Sequence, residues 1–397
     1  MVVNGVNIGM SVPILTSTTV EGTTTLVVPE QDEPTKFPTF FNPRGRYVRD
    51  VSIVCYNAFA SPRKEDNLAF ADSLAGSGAR GIRVANEASG FSTVILNDIS
   101  STSIDLAIRS AEINHVTEKC KFSKKEVCSF LSTREENNGE RFDAVDVDPF
   151  GTPSPFVDSA LRSIKDGGLL SLSATDSGVL CGVYPKVTLR KYLGLPLRSE
   201  YSHEVGMRLL FGLLSMTAMR LELSIEPLFC HHDMHYFRTY SQIRVGNNHS
   251  RENEEMIGYI LHCFRCSYRS VVSREELFSM KGKQERQISL NCPSCANSTL
   301  RVGGPMWTGK IQSKDFVDRC AGISKIPLFE PELDLPTYYD LSEMADRMGV
   351  RTPRILDVIS KLKSTGRSAS RTRLNPGAVR TDATLPEIQE VLKELAL

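Results

Sequence analysis

From residue 67 onward, short apolar runs bounded by Gly, Asp or Asn alternate with longer stretches whose apolar positions recur at helical spacing. This rhythm predicts strands near 68–74, 93–96, 126–131, 142–147 and 168–174, with helices near 81–88 and 103–115 between the first of them. A strand-helix-strand order of this kind predicts an α/β fold built on a doubly wound, largely parallel sheet. Within 200–223, Val205, Leu209, Phe211, Leu214, Met216 and Met219 fall on one helical face and predict an amphipathic helix. Two β-rich pieces, 224–230 and 236–245, predict an antiparallel hairpin closing the sheet. Upstream, 23–28 is Thr- and Val-rich and predicts a short β extension. After Gly246-Asn247-Asn248 the composition turns to Cys, Ser, Arg and Lys, which divides the chain into 1–247 and 248–397. Helices are expected in the second part at 341–347, at 352–364 and from 385, and no internal repeat is visible.

The 397 residues carry 47 basic and 47 acidic side chains, so no global field announces a polyanionic partner. Locally the balance differs: 351–380 holds eight Lys or Arg and one acid, Asp357, a composition suited to phosphate contacts or to a solvated helix face. No apolar run approaches the roughly 18–20 residues of a membrane span, and no basic residue precedes Lys36. A cytoplasmic protein without secretory signal or Arg-rich transit peptide is expected, with nucleus or mitochondrion open for a eukaryotic chain. No protein partner is legible, and a monomer is the expectation.

Ten cysteines without a secretory signal point to a reducing compartment. Six stand singly (Cys55, Cys120, Cys128, Cys181, Cys230 and Cys320) and read as small core hydrophobes. The other four form two Cys-x-x-Cys pairs, Cys263/Cys266 and Cys292/Cys295, separated by 25 residues. Two such pairs suit one tetrahedral structural zinc with no open position for catalysis. A redox pair is the alternative, but Cys292-Pro293-Ser294-Cys295 lacks a thioredoxin-type βαβ frame. Neighbouring His262 is a further candidate ligand, read as facing solvent.

Asp72-Ser73-Leu74-Ala75-Gly76-Ser77-Gly78-Ala79-Arg80-Gly81 closes the first sheet strand and opens a helix. Its glycines let backbone approach a ligand, and the helix start offers free amides. At the end of the next strand, Asp98 stands where a carboxylate can hold a ribose diol; its other reading is a helix cap before Ile99 and Ser100. These features suit either a nicotinamide dinucleotide or S-adenosylmethionine. Asp148-Pro149-Phe150-Gly151 separates the two, because it follows the strand 142–147 directly. An acid, a ring-locked carbonyl and an aromatic face have no role in hydride transfer, yet together they can hold an exocyclic base amine for methylation. Taken alone, the same tetrapeptide is also ordinary turn chemistry.

With these motifs the chain resembles the tRNA guanine-26 N2-dimethyltransferase family over nearly its whole length. Phe41-Asn42-Pro43, Arg49-Asp50, Cys181-Gly182-Val183-Tyr184-Pro185, His203-Glu204 with Arg208, His235-Tyr236-Phe237-Arg238, Ser370-Arg371-Thr372-Arg373 and Arg380-Thr381-Asp382-Ala383 carry the likeness. It implies a Rossmann-like class I methyltransferase domain followed by a smaller α+β, zinc-containing domain, winged-helix-like, that docks tRNA. The S-adenosylmethionine contacts it implies are Arg49, Arg80 and Asp98, which join Asp72, Gly76 and Gly78 of the loop read above, with Glu126 and Val127 standing where the family has Asp-Ala. Val48 likewise replaces the Asn that precedes Arg49-Asp50 in the family. Asp148, Pro149 and Phe150 are the implied catalytic group, Phe41 a second wall for the base, and Arg371 and Arg373 phosphate contacts. Two rivals are an adenine methyltransferase acting on another nucleic acid and a non-catalytic zinc RNA-binding protein.

Overall fold

A computed structural model describes residues 15–30, 39–63, 67–279, 290–296, 299–330 and 332–396. The chain begins with an antiparallel hairpin, β1 (Thr16–Glu21) and β2 (Thr24–Pro29). There follow α1 (Arg46–Ala60), β3 (Leu68–Asp72), α2 (Ala79–Glu87), β4 (Phe91–Asn97), α3 (Ser101–Ile113), β5 (Cys120–Ser123), α4 (Val127–Thr133), β6 (Phe142–Val147), α5 (Val157–Ser163) and β7 (Ile164–Ala174). Two short helices, α6 (Ser177–Leu180) and α7 (Pro185–Tyr192), lead to α8 (Ser202–Met219) and the hairpin β8 (Leu223–Asp233) and β9 (Tyr236–Val245). The seven sheet strands run β5-β4-β3-β6-β7-β9-β8, parallel except where β9 joins antiparallel to β7 and β8. Strand order reverses at β3, whose neighbours β4 and β6 leave on opposite sides. That switch point opens a crevice at the carboxyl ends of the strands.

Two expectations change. The span 126–131 is not a strand: Val127, Phe130 and Leu131 lie on the buried side of α4, and the edge strand is the shorter β5 before it. Spacings of three and four residues among those apolar positions already fit a helix. Nor is α8 amphipathic, since every residue from Glu204 to Ser215 is buried. It packs against β8 and against a strand of the second part, so neither face of that stretch meets water; Met216 and Met219, beyond it, are only half-buried.

In that second part, α9 (Asn247–Glu255) precedes β10 (Ile257–His262), β11 (Arg269–Ser273), α10 (Arg274–Ser279) and β12 (Arg301–Trp307), which form an antiparallel sheet in the order β11-β10-β12. Helix α11 (Lys314–Ile323) returns to pack on α1 and β8. The C-terminal unit is β13 (Tyr339–Asp340), α12 (Leu341–Met348), α13 (Ile355–Ser364), β14 (Ala369–Thr372), β15 (Asn375–Thr381) and α14 (Leu385–Leu395), with strand order β13-β15-β14. Its order of strand, two helices and returning hairpin is that of a winged helix. One apolar cluster runs from Val145 and Leu170 through Leu210 and Phe211 to Ile260, Trp307, Tyr338 and Leu374, so the core crosses residue 247 without interruption. Among the described residues no helix is long and apolar enough to cross a membrane.

Candidate active site

The crevice holds a cavity of about 150 Å³ whose walls come from the 40–49 segment, the 72–80 loop, Asp98, Asp148-Pro149-Phe150, Thr175 and Tyr236. Backbone geometry explains the glycines. Gly76 takes φ +53°, and a Cβ there would lie 2.9 Å from the Phe40 carbonyl oxygen. Gly78 takes φ +80° at the N-cap of α2, where a Cβ would lie 2.6 Å from that of Ala107. Any side chain would push the loop off the segment and helix it nests against. Asp98 fixes the same loop: one oxygen accepts from the Gly76 amide at 2.9 Å, the other from the Ser100 amide at 2.9 Å. The cap of α3 itself is Ser100, so Asp98 orders the loop and faces the cavity at once.

Beneath the cavity floor lies a charge network with Asp146 at its centre. This fully buried carboxylate accepts from Arg80 Nη1 at 3.0 and 2.9 Å, from Arg238, from Tyr56 and from Ser171. Burial alone would raise its pKa, but Arg238 and Arg80 outweigh that and hold it well below the usual carboxylate range. The second arm of Arg80 donates to Asp148 Oδ2, leaving Oδ1 with no protein donor among the described residues. Arg80 is therefore a strut linking the floor to Asp148, and it also lines the cavity. Asp72 accepts from the Gly81 amide at 2.9 Å; burial first, then repulsion from Asp146, pushes its carboxyl up to about 7 despite Arg80.

Arg49 forms a two-bond pair with Glu21 at 2.7 and 2.5 Å and donates to the Asn42 carbonyl at 3.0 Å. It thus ties the N-terminal hairpin to one cavity wall. Asn97, beside Asp98 at the end of β4, donates to the carbonyls of Ser73 and Lys125 at 3.0 and 3.1 Å and so pins the loops after three strands. Phe150 is 69% exposed, and its ring meets Phe40 edge-on with centroids 4.4 Å apart. The expected partner wall, Phe41, lines the same cavity, though most of it is buried, and carries the Arg49 guanidinium at 5.1 Å from its ring. Phe40 is the neighbour that touches Phe150, and two adjacent Phe residues in an irregular segment give no periodicity to separate them. Glu126 and Val127 do not line the cavity: Glu126 caps α4 through the Ser129 amide at 2.9 Å, and Val127 is core.

Away from the crevice, the sulfurs of Cys263, Cys266, Cys292 and Cys295 lie within 4.8 Å of one another. Each pair is a tight turn, closed by Ser267 N to Cys263 O at 2.8 Å and by Ala296 N to Cys292 O at 2.9 Å. Four converging thiols on two such turns fit one tetrahedral metal ion. His262 is excluded from solvent, contrary to expectation: it is fully buried, bonded to Tyr201 Oη at 2.9 Å, and outside the four-sulfur group.

Half the cations of the basic segment 351–380 are ion-paired, Arg373 and Arg380 in the interior and Lys361 and Arg367 at the surface. Lys361 pairs with Glu394, Arg367 with Glu387, Arg373 with Glu332 and Arg380 with Glu204. Arg373, expected on phosphate, has a side chain only 5% exposed and lies over the Phe229 ring. Its carboxylate partner is 41 residues away, beyond the reach of local charge counting. Arg371 is exposed on β14, as a phosphate contact requires.

The chain matches the family model described as N2,N2-dimethylguanosine tRNA methyltransferase over residues 19–393. The tRNA (guanine(26)-N(2))-dimethyltransferase of Methanothermobacter thermautotrophicus is 35% identical over 390 residues, which cover 94% of this chain and 98% of that one. The tRNA (guanine(26)-N(2)/guanine(27)-N(2))-dimethyltransferase of Aquifex aeolicus is 31% identical over 94% of this chain and 95% of that one. Among solved structures, Trm1 from Pyrococcus horikoshii in complex with S-adenosyl-L-methionine superposes with TM-score 0.80 at 28% identity, over 95% of this chain and 99% of that one.

Proposed function

The chain belongs to the N2,N2-dimethylguanosine tRNA methyltransferase family, and from that premise we propose how its cavity performs the reaction. It transfers methyl groups from S-adenosylmethionine to the exocyclic amine of guanine 26 in tRNA. The observation that carries the site assignment is convergence: the glycine loop, Asp98 and Asp148-Pro149-Phe150 line one cavity. Gly76, Gly78, Asp72 and Asp98 would hold S-adenosylmethionine, the loop backbone giving close approach and Asp98 a diol acceptor. When bound, that molecule supplies an electrophilic methyl group on a sulfonium.

The protein's part is to present the nucleophile. An exocyclic guanine amine is poorly nucleophilic because its lone pair is delocalised into the ring. With Asp148 Oδ1 accepting one N–H and the Pro149 carbonyl the other, the lone pair turns away from the ring plane. Arg80, braced on buried Asp146, fixes the Asp148 carboxylate for that role. Phe150 and Phe40 offer aromatic faces to a base extruded from the tRNA stack, a step costing a few kcal/mol. Orientation of this kind is worth roughly 7–11 kcal/mol, so positioning outweighs proton abstraction. Each transfer would leave S-adenosylhomocysteine and a cationic nitrogen, whose proton Asp148 Oδ1 is placed to take and pass to solvent; after one methylation a single N–H remains to be held, and Asp148 alone suffices for the second round.

The four-cysteine group is a structural zinc site on this reading. Residues 1–247 carry the chemistry and 248–397 dock tRNA, a division of roles laid over a shared core, with Arg371 on phosphate and Arg373 holding the parts together. Nucleoside analysis of unmodified tRNA incubated with S-adenosylmethionine tests the whole: N2-methylated guanosine at position 26 is expected, and its absence overturns the reading. Asp148→Ala should abolish product while S-adenosylmethionine still binds. Near-normal turnover by that variant would remove the clamp.

A further inference from the structure

Between Ser177 and Arg198 the chain carries four basic residues and no acid. This segment, which includes α6 and α7, is pinned at both ends. At its start, Thr175 lines the cavity and exchanges hydrogen bonds with Gly151 of the clamp loop, N to O at 2.7 Å and N to Oγ1 at 2.8 Å. The next residue, Asp176, accepts from Tyr192 Oη at 2.5 Å and from Lys191 Nζ at 3.3 Å, which fastens α7 against the clamp. At its other end, Leu195 exchanges backbone hydrogen bonds of 2.9 and 2.8 Å with Gly304 on β12, a strand of the four-cysteine sheet. The segment thus runs from the cavity mouth to the C-terminal part.

Its outer side is unusual in composition. Tyr184, Leu189 and Leu193 are exposed, Tyr184 to 58%. Interleaved with them are Lys186, Arg190 and Arg198, all exposed and none ion-paired among the described residues. This contrasts with the basic segment 351–380, where half the cations are neutralised internally. Unpaired cations beside an exposed aromatic ring are what a nucleic-acid strand needs, phosphates on the charges and an unstacked base on the ring.

We propose that the α6–α7 surface is a tRNA-contacting platform, which receives the backbone flanking the extruded guanine and a neighbouring base on Tyr184. The inference rests on the tRNA reading above and extends it to residues outside the cavity. Charge complementarity selects the occupant: a face beside the cavity mouth with three unpaired cations suits the polyanionic substrate, and those cations would repel a second copy of the same face.

The test compares the full chain with Lys186→Glu/Arg190→Glu and with Tyr184→Ala, each checked for unchanged melting temperature. Unmodified tRNA binding is titrated at several salt concentrations, S-adenosylmethionine binding is measured separately, and steady-state methyl transfer is followed. The double variant should bind tRNA about tenfold or more weakly, with a log–log salt slope shallower by about two. Tyr184→Ala should raise KM for tRNA more than it lowers kcat, with S-adenosylmethionine affinity unchanged in both variants. Unaltered affinity and salt slope in the double variant would overturn the platform, as would lost self-association with tRNA binding intact. Failure of the unsubstituted chain to form methylated guanosine would instead defeat the function itself.

Discussion

At the scale of single residues, Arg80 lines the cavity and also acts through a second charge. It joins a carboxylate sealed in the floor to one at the cavity edge, and only a planar fork reaches both at once. Arg80→Lys should keep the fold but release Asp148, lowering single-turnover methyl transfer by about tenfold to a hundredfold while tRNA affinity changes little. An equal loss of tRNA binding would argue against the strut. Asp72 makes a different prediction. Its folded pKa lies near 7, above the ordinary carboxylate value, so its contribution to stability is full below about pH 4 and is lost as pH rises through 7. Asp72→Asn retains an acceptor for the Gly81 amide and removes that slope. The melting temperature of the variant relative to the parent should therefore rise between pH 5 and pH 8, and a flat difference would refute the assignment.

At the scale of elements, the sheet was readable because its strands obey one rule: buried on both faces, β3 and β6 are short apolar runs closed by acidic or turn residues. Edge strand β5 broke that rule with Lys121 exposed and only four residues, so the apolar run after it drew the strand assignment instead. The place of Asp148-Pro149-Phe150 at the cavity was legible because it follows β6 without a gap, whereas the Phe40 contact depends on how an irregular segment crosses the loop. Spacing also revealed the four cysteines, since two knuckles need no knowledge of what lies between them. Their consequence belongs to this scale. Chelation, or Cys263→Ser, should release about one zinc per chain, speed amide exchange across β10, β11 and β12, and leave S-adenosylmethionine binding intact. Equal exchange before and after chelation would deny the site a structural role.

At the scale of the whole molecule, a buried charge group joins the two parts beside their shared apolar core. Glu204 on α8 is fully buried and accepts from Arg208 at 2.8 Å, from the Thr337 amide at 2.8 Å and from Arg380 at 3.1 Å. Burial would raise its pKa, yet Arg380 and Arg208 outweigh that and keep it below the usual range. Both Arg380 and Arg373 were counted with the basic segment, because charge alone cannot say which cations face inward. The distinction is measurable. Arg371→Ala should weaken tRNA binding and flatten its salt dependence while the melting temperature holds, whereas Arg373→Ala should lower the melting temperature. Arg380→Ala should cost more, about 3–5 kcal/mol by denaturant titration, because it strands a buried carboxylate beside one remaining arginine. Adding Glu204→Gln to that variant removes the stranded charge, and part of the loss should return. If the double variant is instead as unstable as the sum of the two singles, the groups act independently, and the Glu204–Arg380 pair is not what couples the C-terminal unit to the seven-stranded sheet.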